Sequence, residues 1–78
     1  MSEKLSSADR DFALKREAAF MRTKQHIART LVAAPNRDKV TGPAQRYVDE
    51  HEMSDDPDHQ GRVDAYVHFL RSIGRLTN

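Results

Sequence analysis

The chain has 78 residues, no Cys, 32% charged residues and a net charge of +1. This is the size of one small domain, which buries only about 60–65% of the surface its unfolded form exposes. The composition excludes disulfides and a thiolate metal site, fits a reducing compartment, and makes a cytoplasmic location the default expectation. The charge is unevenly spread: residues 1–42 carry nine bases and five acids, whereas residues 43–78 carry four bases and seven acids. Glu3, Lys4, Asp9 and Arg10 surround a single Leu5, so the first ten residues lack the core of a signal peptide. The longest apolar runs, Ala18 to Met21 and Leu31 to Ala34, are far too short to span a membrane.

Residues 1–5 are expected to fray. A long amphipathic helix is expected over residues 7–34, with Ser6 as N-cap and Asp9 completing a capping box. Pro35 stops it. Phe12, Ala19, Phe20, Thr23, Ile27, Thr30, Leu31 and Ala34 share one face at helical spacing. A second, thinner stripe consists of Leu14, Met21, Ala28 and Val32. Pro35 to Thr41 is a polar connector anchored by Val40, after which Gly42 and Pro43 read as N-cap and first residue of a short helix over 43–52. Ala44, Tyr47, Val48 and His51 form its apolar stripe. Asp56 before Pro57 caps a third helix over 57–73, with Val63, Tyr66, Val67, Leu70 and Ile73 as its apolar face. Gly74 is placed to end it and Leu76 to close that end. The expectation is an all-α, single three-helix domain over residues 1–78. Its core should contain Phe12, Phe20, Ile27, Leu31, Tyr47, Val48, Val63, Tyr66, Val67, Leu70 and Ile73.

Catalytic chemistry finds little support. No Ser lies in a nucleophile elbow, and Gly42, Gly61 and Gly74 are too scattered to cradle a phosphate as a glycine-rich loop does. His51 and Glu52 begin a zinc-helix motif, but the position of the second His holds Asp55. A twelve-residue calcium loop starting at Asp56 would place Gly61 and Val63 correctly, yet its twelfth position is Val67 where a bidentate Glu is needed. No catalytic residue, metal, cofactor or small-molecule substrate is therefore expected.

Three surface features are candidates for binding. Acids crowd residues 49–58: Asp49, Glu50, Glu52, Asp55, Asp56 and Asp58. The last three suit the positive end of the third helix, but Asp49, Glu50 and Glu52 oppose the negative end of the second, at a cost of about 0.3–1 kcal/mol each. Lys15, Arg22 and Arg29 form a basic stripe on the first helix, beside His26, either paired with those acids or free for phosphate contacts. Tyr47 and Tyr66 fall on core faces, leaving no exposed platform for base stacking. Asp64, His68, Arg71 and Arg75 read as an ion-pair face on the third helix. The third feature is the second apolar stripe, a candidate contact surface with Met21 at its centre. Together these imply a non-enzymatic protein-binding module, a regulator, adaptor or inhibitor, with self-association as a further use of the stripe. The alternative is a nucleic-acid-binding module using the basic stripe.

Overall fold

The computed structural model describes residues 7–34 and 36–74. Ser6, Pro35, Arg75 and Leu76 lie outside the described residues, as does the expected fraying of residues 1–5. Three helices follow one another: α1 (Ser7–Ala33), α2 (Asp38–His51) and α3 (Pro57–Ser72). The described part is thus all-α, as the periodicity implies, and elongated, at 47 × 24 × 22 Å. The long axis reflects α1, whose 27 residues extend about 40 Å at 1.5 Å per residue. No helix among the described residues is long and apolar enough to cross a membrane.

α1 and α3 fall within a residue of expectation because their punctuation is local. Asp56, in an extended conformation (φ −77°, ψ 124°), accepts a hydrogen bond from the Asp58 amide through its side chain, with Pro57 opening the helix. Helical backbone from Pro57 onward takes the place of any calcium loop. At the other end Gly74 adopts φ +75°, the left-handed conformation that glycine tolerates best, and its amide donates to Arg71 O.

The start of α2 differs from expectation by five residues: Gly42 and Pro43 lie inside the helix, not at its start. The Asn36 side chain accepts from the Asp38 amide at 3.0 Å, and the Val40 and Thr41 amides both donate to Arg37 O, so the turn winds directly into a helix. Val40, Ala44 and Val48 then fall four residues apart and all are buried. Burial of that extended stripe offsets the backbone bond that Pro43 cannot donate and the glycine beside it.

The core also differs from expectation. The sequence implies that both shorter helices pack on α1, but α3 is the central element: it packs on α1 and on α2, which scarcely meet each other. Ile27, Val40, Ala44, Val48, Phe69 and Leu70 make up the buried cluster, with Leu31, Val63, Tyr66, Val67 and Ile73 packed at its edge. Phe69 and Ala65 were absent from the expected core, whereas Phe12, Phe20 and Tyr47 are only half-buried. The reason is the closeness of α1 to α3. Gly61 has the backbone carbonyl of Arg16 and the Ala19 side chain where a Cβ would stand. Small residues, Ala19 and Thr23 on α1 and Gly61 and Ala65 on α3, occupy the crossing, and the two phenylalanines of α1 are left at its margin.

Arg16 and Asp64 fasten the same crossing from outside. Arg16 Nε and Nη2 donate to the two carboxylate oxygens at 2.7 and 3.0 Å. Donating to the Asp64 carboxylate raises the Arg16 pKa above its ordinary value. Asp64 therefore faces α1, not His68 as expected from their spacing; His68 meets the Phe20 ring edge-on, with centroids 6.4 Å apart.

Candidate binding surfaces

The second stripe of α1 is built by the same periodicity that forms the core, but on a side that neither α2 nor α3 covers. Leu14 is 57% exposed, Met21 49% and Val32 84%, and Ala28 is exposed between them. Near its C-terminal end the stripe runs into a shallow apolar groove of about 220 Å³, where Ala28 joins Ile27, Leu31, Ala65 and Phe69. Large exposed apolar side chains in a line are unusual for a small monomeric domain; single ones are not.

Each member of the basic stripe directly follows a stripe residue: Lys15 follows Leu14, Arg22 follows Met21 and Arg29 follows Ala28. At about 100° per residue the three bases therefore run along one flank of the apolar stripe. All three are exposed. The structure joins this row to the acidic residues at one point among the described residues, Arg22 Nη2 to Asp58 Oδ1, at a loose 3.7 Å. Mutual neutralisation of the two charged regions is thus slight, and an exposed pair at this distance contributes little.

The acids themselves divide by role. Asp56 caps α3, Asp58 stands in its first turn, and Asp49 accepts a 3.3 Å hydrogen bond from Gln45. Glu50 approaches His51 Nε2 at 3.9 Å, and Glu52 and Asp55 are exposed. His51 stands in the last turn of α2, beside the acids that oppose the helix dipole.

Where the three helices meet, the structure gathers a constellation that no single stretch of sequence announces. Tyr47 of α2 lies among His51 (ring centroids 4.2 Å apart), Tyr66 (5.6 Å) and His59 (6.4 Å), and the two histidine rings are 4.5 Å from each other. The Arg62 guanidinium sits 5.3 Å from the Tyr47 ring centroid, a cation–π distance. Burial raises the Tyr47 pKa above its ordinary value, opposed by Arg62. His59 is oriented from the loop before α3, its Nδ1 2.9 Å from Ser54 Oγ, while Ser54 O accepts from Gln60 Nε2 at 2.8 Å. Tyr47 and Tyr66 are consequently half-buried walls of a surface groove and not core residues sealed from solvent. Spacing could have shown that Tyr47 and His51 share a turn of α2, and that Arg62 and Tyr66 share one of α3. Nothing in the sequence shows that these turns meet Thr23 and Arg22 of α1.

Comparison with family models, with curated proteins and with solved structures finds no significant match to this chain.

Proposed function

We propose that this chain is a non-enzymatic protein-binding module, whose contact surface is the outer face of α1 and whose partner presents an acidic amphipathic helix. The observation that supports this most is the continuous exposure of Leu14, Met21, Ala28 and Val32 along a helix otherwise anchored by α3. Such a face matches the helix-in-groove mode of recognition, with anchors one and two turns apart. The adjoining groove beside Phe69 receives a side chain of the partner.

The charges select the partner. In an antiparallel pair of identical chains, the row Lys15, Arg22 and Arg29 would face its own copy. In a parallel pair Arg10 would meet Lys15 and Lys24 would meet Arg29, with Glu17 opposite Arg22 the favourable contact. Either arrangement sets like charges together, which disfavours a second copy and favours a helix flanked by Glu or Asp.

A synthetic amphipathic helical peptide, with leucines at heptad spacing flanked by glutamates, tests this by calorimetry. The chain should bind it one to one, and more weakly as salt is raised, because exposed flanking charges are screened. Met21→Asp should lower the affinity at least tenfold. As Met21 is half exposed, the variant should melt within about 5 °C of the parent, the range of surface substitutions in a domain this size. No binding by the parent chain, or equal binding by the variant, contradicts the proposal.

A further inference from the structure

Two shallow grooves, of about 310 and 380 Å³, adjoin where α1, α2 and α3 meet. Arg22, Thr23 and Arg62 line both. Around the three shared residues stand Tyr47, His51 and His59 on one side and His26 and Tyr66 on the other. The one acid on either lining is Asp58.

Thr23 is the telling member. It is only 4% exposed, yet among the described residues no hydrogen bond engages its hydroxyl. Thr30 and Thr41, by contrast, donate to the carbonyl four residues back. Among the described residues no side-chain oxygen or nitrogen is both sealed from solvent and unbonded, so the Thr23 hydroxyl must open into the groove it lines. The hydroxyl is thus a donor open to a ligand in the groove.

Both arginines beside it have donors to spare. The Arg62 guanidinium lies 5.3 Å from the Tyr47 ring centroid, and among the described residues no carboxylate pairs with it. Arg22 reaches Asp58 only at 3.7 Å. Two guanidinium forks and a hydroxyl form a donor set suited to a tetrahedral oxyanion with several acceptor oxygens.

We infer that this groove binds a phosphoryl group, carried by a small phosphomonoester, through Arg22, Arg62 and the Thr23 hydroxyl. Asp58 opposes the ligand by like charge and releases Arg22 to it. The site lies on a different side of α1 from Leu14 and Met21, and it shares with the protein-binding surface the flanking base Arg22.

Calorimetry at pH 7.5 and constant ionic strength, with inorganic phosphate, phenyl phosphate and a random single-stranded oligonucleotide as separate probes, tests it. Both phosphates should bind saturably one to one, with chloride unable to replace them. Arg62→Gln should weaken phenyl phosphate at least tenfold, and Thr23→Val, which keeps the shape and removes the hydroxyl, at least threefold. Asp58→Asn should tighten it. Val32→Asp, at an exposed stripe residue about 15 Å along α1 from Arg22, should leave it unchanged, separating this site from the protein-binding surface. Circular dichroism on each variant should show the parent helix content. If Thr23→Val fails to fold, the opposite responses of Arg62→Gln and Asp58→Asn carry the test. Absence of saturable phosphate binding, affinity unaltered in Arg62→Gln and Asp58→Asn, or an oligonucleotide that binds where the two phosphates do not, overturns the inference.

Discussion

Gly61→Ala should destabilise the domain by at least about 2 kcal/mol, even though alanine is the better helix former. In an exposed helix the exchange would gain up to about 1 kcal/mol. Here the added methyl meets the backbone carbonyl of Arg16 and comes within 2.7 Å of the Ala19 Cβ. A backbone atom cannot swing aside as a side chain tip can, so α1 and α3 must separate. Separation loosens Ala19, Thr23 and Ala65, which are buried because the helices touch. For a domain of this size the loss corresponds to a melting temperature lower by roughly 8 °C or more. Gly42→Ala is the internal control. A Cβ there meets nothing within 4 Å, so the same exchange should be neutral or stabilising by up to about 1 kcal/mol. Equal melting of the two variants would show that the close crossing of α1 and α3 is wrong.

Leu70→Ala should cost about 2–5 kcal/mol, the range for a buried leucine that leaves a cavity. Leu70 is fully buried, on the central helix, within the cluster that includes Ile27 of α1 and Val40, Ala44 and Val48 of α2. A 78-residue chain has a total stability of roughly 4–12 kcal/mol. The variant should therefore unfold at markedly lower urea concentration, with a large unfolded fraction at 37 °C. Phe20→Ala serves as comparison. The sequence ranks Phe20 with Leu70 as core, but the structure leaves Phe20 half-buried between His68 and Lys24, whose Nζ lies 5.3 Å from the ring centroid. Its truncation should cost less than that of Leu70. The reverse order would contradict the central position of α3.

These two variants also mark where the sequence was legible. Helix boundaries set by local chemistry, such as Asp56–Pro57 and Gly74, could be read directly, because caps and left-handed glycines act within a few residues. The start of α2 could not, because Gly42–Pro43 is ordinarily a helix-opening pair. The competing signal was Val40 in register with Ala44 and Val48, which gains force only once α3 is there to bury it. The part of the core where α1 crosses α3 differs from expectation for a related reason. Periodicity ranks residues by size, so Phe12 and Phe20 outweighed Ala19, Thr23, Gly61 and Ala65, yet a close helix crossing selects small residues. The exposed stripe of α1 was visible as a pattern, since Leu14, Met21 and Ala28 recur every seven residues. Whether α2 covered it depended on the position of α2, which pattern alone does not contain. The phosphoryl groove was the least legible feature, as its members come from three helices and share no spacing. Thr23 in particular looks like an ordinary face residue until its hydroxyl is found without a partner.

The central claim is that the outer face of α1 is open in the free chain and covered by a partner helix. Thiol labelling of Met21→Cys measures this directly, since the chain contains no other cysteine. In the free chain the new thiol should react within a few-fold of the rate in the urea-unfolded protein, because Met21 is half exposed. On saturation with the acidic amphipathic peptide the rate should fall at least tenfold. Strong protection in the free chain, or no protection with peptide bound, would contradict the account.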